Sequence, residues 1–78
     1  MPLGLTPIYH GLRPYETIRY RVENPDGELI GYISRFHHDG RATFTAWNDA
    51  GLKCDYRTRK AALQDLEATV HLMGRWFK

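Results

Sequence analysis

Three glycine-bearing segments, Asn24-Pro25-Asp26-Gly27, His37-His38-Asp39-Gly40 and Asn48-Asp49-Ala50-Gly51, cut the middle of this chain into short alternating runs. Proline presets φ for a turn, glycine accepts positive φ without steric cost, and Asp-Gly is a strong hairpin signal. Connections this short join antiparallel neighbours, because a parallel crossover needs a dozen or more residues. The middle of the chain therefore reads as a β-meander.

The runs between the turns support that reading. In residues 15–23, Ile18, Tyr20 and Val22 fall on one face, and Thr17, Arg19, Arg21 and Glu23 on the other. Residues 29–36 place Ile30, Tyr32 and Phe36 opposite Leu29, Ile33 and Arg35, as expected of a central strand covered on both faces. Residues 41–48 set Ala42, Phe44 and Ala46 against Thr43, Thr45 and Trp47. Residues 52–56 set Leu52, Cys54 and Tyr56 against Lys53 and Asp55, with Arg57 continuing the polar row.

Thr58 then offers a hydroxyl to the orphan N–H groups of a helix start. Leu63, Leu66, Val70, Met73 and Phe77 follow at spacings of three and four, which puts them on one stripe that must be buried. Ala61 and Ala62 widen it, and Gly74 either caps the helix or weakens its last turn. The expected fold is α+β: a four-stranded antiparallel β-meander with one C-terminal helix packed on the face of Ile18, Tyr20, Val22, Phe44, Leu52, Cys54 and Tyr56. Residues 1–14 hold Pro2, Pro7, Pro14, Gly4 and Gly11, and read as an irregular arm preceding a single domain over residues 15–78. Leu3, Leu5, Ile8, Tyr9 and Leu12 give that arm a reason to dock.

A chain of 78 residues buries only about 60% of its unfolded surface and has one core. Catalysis needing two lobes or a large cofactor is not expected, nor is a bound cofactor. One cysteine makes no internal disulfide, which favours a reducing, cytoplasmic setting. No run approaches the roughly 18 apolar residues of a membrane span, and the N-terminal residues lack the basic region of a signal peptide.

With the helix on one face, the other is expected to present Thr17, Arg19, Arg21, Glu23, Ile33, Arg35, Thr43, Thr45, Trp47, Lys53, Asp55 and Arg57. Its net charge of +3 exceeds the +2 of the whole chain. Segregated positive charge is the footprint of a phosphate-binding surface, and an exposed tryptophan adds a flat apolar patch for a base or a methyl group. The alternative is a solvated sheet face whose arginine stems cover their neighbours.

The run Asp39-Gly40-Arg41-Ala42-Thr43-Phe44-Thr45-Ala46-Trp47, then Gly51, then Tyr56-Arg57-Thr58-Arg59-Lys60-Ala61-Ala62-Leu63, resembles the arm-site-binding N-terminal domains of phage and transposon integrases. It is also similar to the plant ethylene-response-factor domain and to small phage and plasmid accessory proteins. The resemblance covers roughly residues 29–72. It implies a helix-backed antiparallel sheet laid into the DNA major groove, with Arg35, Thr43, Thr45, Trp47, Lys53 and Arg57 in contact. Arg19 and Arg21 join them from alternation alone. The chain departs from those families in the added strand at residues 15–23 and in a less basic face. A different class fits the same size: a protein-binding inhibitor or adaptor of the anti-CRISPR or host-takeover kind, blocking a host protein with Trp47, Tyr32, Arg35 and Trp76 as anchors.

Catalytic and metal readings are weak. Adjacent His37 and His38 in extended backbone point opposite ways, and Asp39 is explained by its turn. Cys54 reads as a small hydrophobe. Asp65 and Glu67 are two apart on a helix and do not face each other. The chain is expected to be no enzyme and to hold no metal. Met73, Trp76 and Phe77 extend the apolar stripe beyond a narrow sheet, offered either to a second copy in a homodimer or to the N-terminal arm.

Overall fold

A computed structural model describes residues 3–48 and 53–73, with side chains to residue 70. The chain forms β1 (Gly4–Ile8), β2 (Glu16–Glu23), β3 (Leu29–His38), β4 (Arg41–Trp47), β5 (Lys53–Tyr56) and α1 (Arg59–Met73). The class is α+β, with one antiparallel sheet in the order β1-β2-β3-β4-β5 and the helix on one side. The meander therefore has five strands, not four.

The additional strand lies in the segment expected to be an irregular arm. Gly4 pairs with Glu23 and Ile8 with Arg19 along β2, with Pro7 opposite Tyr20. Proline has no N–H to give a sheet ladder, which excludes it from central strands, yet an edge strand has one side without a neighbour where no donor is needed. Leu3 and Leu5 pack against the core, so the arm's apolar residues contribute to the same burial as the meander.

The turns follow their residue chemistry. Asn24 Oδ1 accepts from the N–H groups of Asp26 and Glu28, and Gly27 takes φ of 83°. Only Asp39 and Gly40 separate β3 from β4, since His38 pairs with Arg41. Their φ values of 54° and 75° are what a mirror-image two-residue hairpin turn requires. The third expected turn, at residues 48–51, extends outside the described residues, as does Leu52.

Thr58 Oγ1 accepts from Ala61 N–H at 3.0 Å, the N-cap bond that starts α1. The core consists of Val22, Ile30, Ile33 and Ala46 from the sheet with Ala62 and Leu66 from the helix. Leu63 and Val70 flank them, half-buried. Two polar tethers hold the helix across the sheet. The Arg59 guanidinium lies over the Tyr20 ring and donates to its hydroxyl at 3.1 Å, and the Tyr56 hydroxyl donates to Asp65. Burial and that carboxylate both push the Tyr56 phenol up. Met73's side chain, Gly74, Trp76 and Phe77, expected at the apolar end of the helix, lie outside the described residues.

Register assigns the faces. Tyr20, Ile33, Ala46 and Cys54 form one cross-strand row, and Ile18, Arg35, Phe44 and Tyr56 another. Directly paired residues share a side of an antiparallel sheet, so both rows face the helix. Ile33 is fully buried there. Ile33 and Arg35 were expected on the opposite face, and the structure reverses that placement. Apolar residues of both parities in β3 let the sequence be read either way, and pairing with Tyr20 and Ala46 decides it.

Candidate functional site on the sheet face opposite the helix

The face opposite the helix is built from the rows Arg19-Ser34-Thr45-Asp55 and Arg21-Tyr32-Trp47-Lys53. Glu16 joins them through a register shift between Glu16 and Ile18, which turns the Glu16 side chain to the side of Phe36, its partner in β3. Without that bulge, alternation would send Glu16 to the helix side together with Ile18.

The bulge creates a closed polar centre. The Glu16 side chain has 0% exposure, and its carboxylate accepts Arg19 Nη2 at 2.8 Å, Arg19 Nε at 3.0 Å and the Arg13 backbone N–H at 2.8 Å. Burial alone would raise its pKa. Hydrogen bonds from Arg19, Ser34 and the Arg13 backbone, with the charge of Arg19, outweigh burial and lower it from the ordinary 4.5 to about 2. The same contact raises Arg19. Ser34, also fully buried, accepts the Trp47 Nε1–H at 2.7 Å. Buried Ser34 and Glu16 thus hold Trp47 and Arg19 respectively on one face of the sheet.

The aromatic groups of this face are drawn into the same centre. Trp47 stacks on Tyr32 with centroids 4.5 Å apart, and the guanidiniums of Arg13 and Arg19 lie 5.0 and 5.3 Å from its ring. Arg13 also covers Phe36 at 5.3 Å. It reaches there from the segment between β1 and β2, held by the reciprocal Glu16 N–H to Arg13 carbonyl bond at 3.0 Å. Trp47 is consequently half-buried beneath cations and not the open apolar surface expected from alternation.

The expected site residues therefore separate into two sets. Arg19 is committed to Glu16, Thr45 is buried and donates to Asp55 at 2.8 Å, and Trp47 is covered. Arg21 lies 3.7 Å from Glu23, which also accepts from Thr6. Arg35 faces the helix side and donates to Thr17 Oγ1 at 3.0 Å. Thr43, Lys53 and Arg57, in contrast, are exposed on or beside β4 and β5.

Arg41 completes this second set, although the sequence reading, which began the third strand at Arg41, did not count it among the residues of this face. Its parity with Thr43, Thr45 and Trp47 was a signal that would have found it. Arg41, Thr43 and Arg57, with Ala42, line a groove of about 450 Å³. A neighbouring groove of about 560 Å³ is lined by Phe36, His38, Asp39, Arg41 and Thr43. Among the described residues, Arg41, Lys53 and Arg57 form no ion pair within 4.0 Å. Arg13 and Glu16 were also missed, because they act through a bulge and a loop contact that leave no periodic trace.

No helix among the described residues is long and apolar enough to cross a membrane. Among the described residues no three His, Cys, Asp or Glu side chains gather as metal ligands. No protein-family model, curated protein or solved structure matches the chain, so the geometry of this face carries the functional reading.

Proposed function

We propose that this chain is a non-enzymatic binding module that contacts nucleic acid through the sheet face opposite the helix. The observation that carries the reading is the imbalance in how charges on this face are used. Its carboxylates Glu16, Glu23 and Asp55 each take hydrogen bonds from within the sheet, while Arg41, Lys53 and Arg57 remain exposed without an ion pair among the described residues. Exposed cations gathered on one face neutralise phosphates and release counterions on binding. The test is fluorescence anisotropy of labelled duplex and single-stranded DNA with the purified chain from low to physiological salt. Binding at low salt that weakens steadily with added salt is expected, and absence of binding at low salt rejects the reading.

A second reading, a protein-binding inhibitor or adaptor, is favoured by Tyr9 and Tyr15, the large apolar side chains most exposed among the described residues at 70% and 61%. Both lie at the segment between β1 and β2, and tyrosine is over-represented among interface anchors. Affinity capture from nuclease-treated lysate separates the classes. A protein retained by the wild type and lost with Tyr9→Ala plus Tyr15→Ala favours this second reading. Partners that vanish with nuclease reject it.

A further inference from the structure

Resting on the nucleic-acid reading, we propose that the ligand is held by its phosphates at the groove of Arg41, Thr43 and Arg57 and that its bases are not read. Among the described residues, the groove is lined by two guanidiniums, one hydroxyl and the small Ala42, with no carboxylate. Arginine presents a planar fork of donors that matches phosphate oxygens in pairs, and the Thr43 hydroxyl adds a further donor. Both arginines and Thr43 are exposed, so their donors face solvent before the ligand arrives. Lys53 begins the edge strand β5, opposite Trp47 and at the other end of that strand from Arg57, and extends the positive surface along it.

The neighbouring groove sets a boundary. Asp39 stands in its wall beside Arg41, 85% exposed and 3.3 Å from His38 Nδ1. A carboxylate there repels a phosphate, so the anion belongs on the Arg57 side of Arg41.

Base readout needs groups this face has already spent. The Trp47 N–H is donated to Ser34, its ring is stacked on Tyr32, and Arg13 and Arg19 lie over it. Phe36 lies beneath Arg13 as well. A base stacking on either ring has to displace a guanidinium, and for Arg19 that breaks a two-point contact with a buried carboxylate. The exposed Tyr15 ring rests edge-on against His38, a wall residue of the neighbouring groove, at 4.1 Å. Tyr9 follows β1, at the far edge of the sheet from β5.

The experiment measures duplex affinity against salt for two unrelated sequences, one A·T-rich and one G·C-rich. Wild type is compared with Arg41→Ala, Arg57→Ala, the double variant, Trp47→Phe and Tyr15→Ala, with long-chain inorganic polyphosphate as competitor. The proposal expects the two sequences to bind within about twofold of each other and polyphosphate to displace both. Each arginine substitution should lower the slope of log affinity on log salt by about 0.9, the increment of one neutralised phosphate. Trp47→Phe and Tyr15→Ala should keep the wild-type slope and the indifference to sequence. Sequence preference above about tenfold, or a wild-type slope in the double arginine variant, overturns the phosphate-only site while DNA binding itself stands. Selective loss of one sequence with Tyr15→Ala overturns it in the same way. Absence of DNA binding by the wild type rejects the underlying nucleic-acid reading together with it.

Discussion

Two ends of the same sheet face use the same residue types for opposite purposes. At the centre, over β2 and β3, Arg13 and Arg19 close over Trp47 and share the buried Glu16. At the edge, around β4 and β5, Arg41 and Arg57 flank Thr43 and open to solvent. The difference is the buried carboxylate. Where the bulge in β2 turns Glu16 into the sheet face, cations become part of the structure, and where no carboxylate is buried they remain for a partner. Counting positive residues on a face therefore says less than asking which of them already have an anion.

The sharpest way to break this comparison is to remove the anion. Glu16→Ala leaves the Arg19 guanidinium and the Arg13 backbone N–H without their partner, and breaking one side of such a pair is strongly destabilising. We expect a loss of about 3 kcal/mol in urea unfolding. A loss near zero would mean that the centre is held by packing alone. The pH dependence tests the same group with its sign fixed. Because the folded pKa is lowered, the stabilisation is complete above 4.5 and is lost as pH falls toward about 2. Glu16→Gln should flatten the stability curve across that window, and an unchanged acid limb would assign the effect to other carboxylates.

Trp47→Phe keeps a ring on Tyr32 but deletes the N–H donated to Ser34. We expect a cost of roughly 1–2 kcal/mol, from one buried hydrogen bond and a smaller ring. Thr58→Ala, at the helix start and remote from the polar centre, should cost about 1 kcal/mol through loss of its cap. Equal effects of Thr58→Ala and Glu16→Ala would erase the special status given to the centre. Smallest of all, Arg41→Ala should leave the unfolding midpoint where wild type has it, since exposed side chains without partners contribute little. A midpoint shift comparable to that of Trp47→Phe would make Arg41 structural and remove it from the binding edge.

Much of the fold was legible in local chemistry. Asp39-Gly40 announced the hairpin, Asn24 to Gly27 the preceding turn, and Thr58 the helix start, because each acts on backbone groups a few residues away. The alternation in β2 correctly placed Tyr20 and Val22 toward the helix. β1 was illegible because its proline and glycine argue against a central strand, and an edge strand escapes that rule. The orientation of β3 was illegible for a different reason: Leu29 and Ile33 on one parity balance Ile30, Tyr32 and Phe36 on the other.

The candidate site divides along the same line. Parity placed Thr43, Lys53 and Arg57 on this side of the sheet, and could have placed Arg41 there as well. Arg13 and Glu16 could not, since one reaches the face from a loop and the other through an irregular register.

By itself the sequence determined the α+β class, the antiparallel meander of its middle, the tight turns and the helix cap. These depend on φ preferences, hydrogen-bonding side chains and period-two or helical spacing, all of which operate within a few residues. Only the tertiary structure decided that the chain adds an edge strand, that β3 turns Ile33 and Arg35 toward the helix, and that Trp47 lies beneath two guanidiniums. Those outcomes depend on pairing between distant strands and on one bulge, and a single-residue shift in register moves a side chain from one face of a sheet to the other.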